Sequence, residues 1–201
     1  MKIFFIRHGE TTGDVESRYG GDYDDHLSGK GKEQSKSLAQ VLRDEGIEIV
    51  FSSPLKRAKE TSEIIAEQIN CEVVVKVNLK ERNQYGIITG MKKEEAKEKY
   101  PKQVELLKDK LNTIEGAEAY EDFSKRIAGA FRELVVDSEY GTIAIVSHGG
   151  PLRVLFRDIL KWGELKEIGD CAFVKLEKKG EKYLWIHSGG FKPSFYIPTF
   201  E

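Results

Sequence analysis

Met1-Lys2-Ile3-Phe4-Phe5-Ile6-Arg7-His8-Gly9-Glu10-Thr11 opens the chain and decides its fold. Residues 1–6 form an apolar run rich in β-branched and aromatic side chains, the pattern of a strand buried on both faces. The run stops abruptly at Arg7-His8-Gly9. A cation and an imidazole therefore stand at the strand's carboxyl end, where ligands bind in open α/β sheets.

The rest of the chain repeats that unit. Residues 10–27 are polar and rich in Gly and Asp, which predicts a long functional loop. A helix is expected after the N-cap Ser28, with Leu38, Val41 and Leu42 on one face and a stop at Gly46. Ile47–Phe51 reads as a second strand. Ser53 then looks like an N-cap with Pro54 at the first helical position, and Leu55, Ala58, Ile65 and Ile69 form the apolar stripe. Cys71–Val77 reads as a third strand. Strand–helix–strand–helix–strand implies a parallel sheet with helices on its faces. Residues 80–116 break the rhythm and read as a small helical cap, with pieces near 91–99 and 101–112. A helix over 119–137 follows, with Phe123, Ile127, Ala130, Phe131 and Leu134 on one face. Thr142–Val146 is the next buried strand. It ends in Ser147-His148-Gly149-Gly150-Pro151, and a helix should run from there to about Leu160. Runs 171–177 and 182–187 predict a hairpin, followed by a Gly/Pro/aromatic tail. The fold class expected is a three-layer α/β sandwich, in one domain of residues 1–201.

Two strands far apart in sequence thus end alike, in Arg7-His8-Gly9 and in Ser147-His148-Gly149. A histidine at one strand end is commonplace. Two of them meeting at one edge of a parallel sheet, with Arg57 in the first turn of a helix leaving the same edge, describe an anion site. Phosphate fits it best, because guanidinium forks match phosphoryl oxygens. A neutral imidazole is also a competent nucleophile. No set of carboxylates, cysteines or histidines has metal-ligand spacing. His26 and His187 match no such pattern and read as ordinary loop and strand residues.

These motifs resemble the histidine phosphatase superfamily, also called phosphoglycerate mutase-like. The likeness covers nearly the whole chain. It rests on Arg7-His8-Gly9-Glu10-Thr11, on Leu27-Ser28 through Gly31 and Gln34, on Ser52-Ser53-Pro54-Leu55-Lys56-Arg57-Ala58, on Leu79-Lys80-Glu81, and on Val146-Ser147-His148-Gly149-Gly150 with Arg153. The resemblance implies that His8 is the nucleophile and that Arg7, Arg57 and His148 hold the phosphoryl oxygens. Glu81 would protonate the leaving oxygen. Gly9, Thr11, Asp14, Gly20, Gly21, Arg82 and Gly149 would complete the substrate site. The chain departs from the family pattern in three places. Asp14 stands where the family has a phosphate-contacting Asn, and a carboxylate there must be protonated or turned away. The following loop reads Gly20-Gly21 and Asp24-Asp25-His26-Leu27. The stretch Glu81–Gly86 is one residue longer than the family usually has.

The resemblance supports two reactions. A phosphatase lets water attack the phosphohistidine. A mutase, dependent on 2,3-bisphosphoglycerate, excludes water. Glu81-Arg82 followed by Tyr85-Gly86 is similar to the mutase loop. The short cap with its Lys92, Lys93 and Lys102, and without an Arg pair, favours the phosphatase, acting on a small phosphorylated metabolite without metal or cofactor. A non-catalytic phosphate-binding module is the least favoured reading, since the full set of residues is present.

Composition narrows the partners. Net charge is −2 and 33% of residues are charged, with both signs mixed. This argues against nucleic acid or an anionic membrane as the main partner. No window has the length of a transmembrane span and the start lacks a signal-peptide shape, so a cytoplasmic protein is expected. Cys71 and Cys171 lie in apolar stretches and read as buried reduced thiols. The oligomeric state stays open, a homodimer included.

Overall fold

The computed structural model describes residues 1–109 and 112–197. The end of the expected second cap helix, 110–111, and the end of the tail, 198–201, lie outside the described residues. The sheet has six strands: β1 (Lys2–Arg7), β2 (Ile49–Ser52), β3 (Glu72–Val75), β4 (Thr142–Ser147), β5 (Leu165–Lys179) and β6 (Lys182–Pro193). Their order is β3-β2-β4-β1-β5-β6. The first four are mutually parallel, and the hairpin β5–β6 adds to β1 antiparallel.

Each central strand serves two cores, which is why it reads as an unbroken apolar run. Ile3 and Phe5 of β1 and Ile143 and Ile145 of β4 face one layer, with Phe131 and Leu134 and with Leu152 and Phe156. Phe4, Ile6, Ala144 and Val146 face the opposite layer. That layer is built from α2 (Gly29–Leu42) and α3 (Lys56–Ile69). The first layer holds α6 (Tyr120–Phe131) and α7 (Gly149–Val154). Phe4 is wholly buried, so truncation to Ala should cost about 3–5 kcal/mol.

Chain connections leave the sheet in opposite directions from the adjacent strands β1 and β4. In register, Arg7 pairs with Ser147. The carboxyl ends of β1 and β4 therefore form one crevice at the switch point. A one-turn helix, α1 (Thr12–Val15), sits beyond β1. Two cap helices, α4 (Lys93–Lys99) and α5 (Pro101–Leu106), sit above the crevice. The cap has its own small core of Ile88, Ala96 and Ile114, ringed by Tyr19, Tyr85 and Tyr100. Among the described residues no helix is long and apolar enough to cross a membrane.

Several boundaries correct the sequence reading. Ser28 does cap α2, its Oγ accepting from the Gly31 amide at 3.0 Å, and Gly46 follows with a positive φ of 70°. But α3 begins at Lys56, not Pro54, because Pro54 and Leu55 stay outside the helix; Leu55 is the N-cap, with no side-chain cap bond. The helix after 119 is regular to Phe131 and then widens into a π turn over Arg132–Val136. The same happens after α7, over Leu155–Ile159. The hairpin strands are longer than expected, since β5 carries a register shift between Ile168 and Phe173 that breaks its apolar pattern. Both cysteines are free but only half-buried, and burial pushes the Cys171 thiol up to about 11.

Candidate active site

The crevice opens into a cavity of about 600 Å³. Seven arginine or lysine side chains and four carboxylates line it, so it favours anions.

His8 lies at its floor, 5% exposed. Its backbone amide extends the ladder to Ser147 O at 3.1 Å, and its carbonyl accepts from the Cys171 amide at 3.1 Å. Neighbours on both sides thus fix its backbone. Nδ1 lies 2.8 Å from Gly9 O, which can only accept, so Nδ1 carries the proton. Nε2 then holds the lone pair, and the Nε–H of Arg57 points at it from 3.1 Å. Burial first, then Arg57 and Arg7, hold the His8 imidazole well below its usual pKa. Near neutral pH it is an uncharged base with its lone pair in the cavity.

Arg57 is 4% exposed. Its Nη1 donates to Asp25 Oδ1 at 2.9 Å and also to Tyr23 O, while Nη2 donates to Gly21 O at 2.7 Å. The other Asp25 oxygen accepts from the Gly13 amide at 3.1 Å. The loop at 20–25 is therefore a clamp around the guanidinium. Arg7 ends β1 and is held by Ile168 O at 2.6 Å and by Asp170 at 3.3 Å.

His148 packs beside His8, with ring centroids 5.0 Å apart. It is fully buried, and burial with Arg57, His8 and Arg7 nearby keeps it neutral. Its Nε2 lies 2.6 Å from Ser53 Oγ, and its Nδ1 has no partner.

Glu81 faces these groups from the loop after β3. That loop is fastened by Ser147 Oγ, which donates to Leu79 O at 2.7 Å, and by Arg126, which donates to Lys80 O at 2.9 Å. The half-buried carboxylate accepts from the Arg82 amide at 2.8 Å and the Gly150 amide at 3.0 Å. Burial raises its pKa above the usual carboxylate value, and the two amides oppose that without cancelling it. A side chain on Gly150 would overlap Glu81 Oε1. Between Glu81 and Gly86 the chain makes a tight bend, where Asn83 Oδ1 accepts from the Gly86 amide at 3.0 Å.

The remaining expected residues divide. Thr11, Asp14, Gly20, Gly21, Arg82 and Gly149 line the cavity. Gly9 does not: its amide donates to Thr61 Oγ1 at 3.2 Å, and a Cβ there would come within 2.6 Å of Gly31 O. It lets β1 pack against α2. The Asp14 carboxylate is engaged with Thr11 at the cavity wall. Its Oδ2 accepts from the Thr11 amide at 3.0 Å and the Thr11 hydroxyl at 2.9 Å, while Thr11 Oγ1 accepts from the Asp14 amide at 3.0 Å. This is a capping box on α1. Arg82 is buried, donates to Glu118 O at 3.0 Å and stacks over Tyr120. Of the cap lysines, Lys93 reaches the cavity. His26 pairs with Glu60 and His187 packs on Phe173, both away from the crevice.

Asp25, Asp170, Ser53, Arg157 and Tyr120 contact these groups or line the cavity, and the sequence reading gave none of them a place in the site. Tyr120 and Arg157 line the cavity's outer wall, where Arg157 also stacks on the Tyr120 ring. Asp25 sits in the acidic stretch Asp22–Asp25, where nothing local distinguishes the one carboxylate that turns inward.

Comparison with known proteins identifies the family. Phosphoserine phosphatase 1 of Hydrogenobacter thermophilus is 34% identical over 162 residues, covering 80% of this chain and 76% of that protein. The probable phosphoglycerate mutase GpmB of Salmonella typhi is 28% identical over 197 residues, covering 94% and 89%. The structure of a mycobacterial glucosyl-3-phosphoglycerate phosphatase with VO3 superposes with a TM-score of 0.79 at 26% identity, covering 92% of this chain and 96% of that one. Residues 3–185 match the histidine phosphatase superfamily, branch 1, and the chain belongs to that family.

Proposed function

We propose that the protein hydrolyses phosphomonoesters without a metal ion, through a phosphohistidine formed on Nε2 of His8. One observation carries the reading: His8 is held as the neutral tautomer whose lone pair enters a cationic cavity opposite Glu81. In the first step Nε2 attacks phosphorus. The phosphorus–oxygen bond to the alcohol breaks, and Glu81 gives its proton to the departing oxygen. Arg7, Arg57 and His148 stabilise the charge on the transferring group, a contribution that is usually the largest single one. In the second step Glu81, now a carboxylate, takes a proton from water as the oxygen attacks phosphorus. The phosphorus–nitrogen bond breaks, which regenerates His8 and releases inorganic phosphate. The arginines supply the positive charge that metal ions supply to other phosphoryl transfers.

Hydrolysis of 4-nitrophenyl phosphate in excess chelator tests the proposal. Full activity in chelator and none in His8→Ala are expected, and undiminished turnover by His8→Ala would overturn the mechanism. Phosphoserine and glucosyl-3-phosphoglycerate, named for the relatives, head the panel of natural esters to try. The mutase reading draws support from Arg82, which lines the cavity directly after Glu81. Incubation with 3-phosphoglycerate and a trace of 2,3-bisphosphoglycerate separates the two. Release of inorganic phosphate is expected; efficient formation of 2-phosphoglycerate with little free phosphate would reverse the choice.

A further inference from the structure

Ser53 has the sequence position of a helix N-cap, yet α3 begins three residues later and its hydroxyl does not cap it. That hydroxyl reaches from the end of β2 to the end of β4, where Oγ lies 2.6 Å from Nε2 of His148. Both residues are 0% exposed.

A neutral imidazole has one N–H and one lone pair, so Ser53 and His148 can pair in two ways. Ser53 Oγ already accepts from the Leu55 amide at 3.3 Å. If its hydroxyl proton goes to His148 Nε2, the oxygen is satisfied as both acceptor and donor, and the imidazole proton resides on Nδ1. If instead Nε2–H donates to Ser53, the hydroxyl accepts twice. Its own proton then has no acceptor among the described residues. Nδ1 has no partner in either arrangement. The first arrangement leaves one buried polar group unsatisfied and the second leaves two. Each such group costs about as much as a lost hydrogen bond, so the first arrangement is preferred.

The group left over is therefore a donor, an N–H, and it belongs to a ring packed against that of His8 at 5.0 Å. We propose that Ser53 is a positioning residue that sets the tautomer of His148, so that an uncharged Nδ1–H is offered to a phosphoryl oxygen. The idea rests on the phosphatase reading of this cavity. Its chemical consequence is specific. With the opposite tautomer a lone pair would meet the anion and repel it. With this one, the donor is in place before substrate arrives and needs no protonation of His148 to form.

The tautomer is directly measurable. Imidazole ¹⁵N spectra of the full-length protein, with His148 assigned through a His148→Gln variant, should show Nδ1 protonated and Nε2 bare between pH 6 and 8. A protonated Nε2, or an equal mixture of the two forms, would overturn the proposal. Ser53→Ala should shift His148 towards a mixture and weaken inhibition by orthovanadate about tenfold, with a similar fall in kcat/KM. Ser53→Thr, which keeps the hydroxyl, should restore both. Vanadate binding to Ser53→Ala as tight as to the wild type would also refute the role. A merely structural serine would lower stability without moving the His148 resonances, and the wild-type spectrum decides the matter should the variants fail to fold. Turnover by His8→Ala tests the phosphatase reading separately, since it leaves the wild-type tautomer untouched.

Discussion

Replacing Glu81 by Gln should separate substrates by how badly their leaving group needs a proton. The side chain keeps its size, but the amide cannot donate as an acid. One of its ends must also place N–H against N–H, because both carboxylate oxygens now accept from backbone amides, at 2.8 Å from Arg82 and 3.0 Å from Gly150. Loss of a placed general acid typically costs 10²–10⁴-fold, or about 3–5 kcal/mol of barrier. An alkyl phosphate such as phosphoserine needs that proton because an alkoxide leaves poorly. A 4-nitrophenolate leaves without it. The comparison belongs in kcat/KM, which reports steps through formation of the phosphoenzyme and not its hydrolysis. A fall of roughly 10²–10⁴ is expected for the alkyl ester and less than roughly tenfold for the aryl ester. The kcat for the aryl ester should fall further, because Glu81 also activates the water, and a burst of nitrophenolate should appear. Equal losses in kcat/KM for both esters would show that Glu81 shapes the site without acting as its acid.

The same carboxyl leaves a pH signature. Burial raises its pKa in the folded protein, so the acid form persists above the usual carboxylate range. As pH rises through that folded value the acid is lost, and kcat/KM for an alkyl ester should decline. Glu81→Gln should lack this limb. The second ionisation of the substrate, near pH 6, is common to both proteins and divides out of the ratio.

Gly150→Ala should reproduce the Glu81→Gln substrate pattern, since the new methyl overlaps Glu81 Oε1, whereas Gly149→Ala has nothing within 4 Å and should lose less; steady-state kinetics on both esters checks this. Asp25→Ala leaves Arg57 buried without its carboxylate and should cost about 3–5 kcal/mol in urea unfolding, with weaker orthovanadate inhibition; a loss below about 1 kcal/mol would show the pair to be incidental. Asp14→Asn should keep activity within roughly tenfold, because the carboxylate faces Thr11 and an amide oxygen can still cap α1; a larger loss in kcat/KM would give the carboxylate a direct part. Stability should fall on acidification: His8 and His148 have folded pKa values well below 6.5, so their contribution is complete above the unfolded value and lost as pH drops beneath it, by up to about 1.4 kcal/mol per pH unit each. Urea midpoints from pH 7.5 to 5.5, with a His8→Asn/His148→Asn double variant as the flat control, measure it.

What the sequence reveals and what it hides follow one physical division. β1 and β4 are legible because a strand buried on both faces must be apolar throughout, and Arg7, His8 and His148 are legible because they interrupt such runs at their ends. Arg57 is legible through its place in a helix's first turn. These are the groups that would touch phosphate. The residues that aim them are not legible. Asp25 hides among four neighbouring polar loop residues, and only tertiary packing selects it as the partner of Arg57 and the Gly13 amide. Asp170 hides in a stretch of β5 where a register shift breaks the alternation, so its pairing with Arg7 at 3.3 Å has no local signal. Ser53 is actively misleading, since Ser-Pro before an apolar helix is the ordinary sign of a cap. The asymmetry has a cause. A group that contacts phosphate must be one of a few residue types at a strand or helix end. A group that orients it needs only an acceptor or a hydroxyl somewhere within reach in space. In this protein the second set holds the first: Gly9 O sets which nitrogen of His8 keeps the lone pair, Asp25 holds the guanidinium of Arg57, and two backbone amides hold Glu81 against Gly150. The variants that best test the proposed mechanism are therefore at these supporting positions as much as at His8 itself, because there the geometry can be disturbed while every group proposed to contact phosphate remains present.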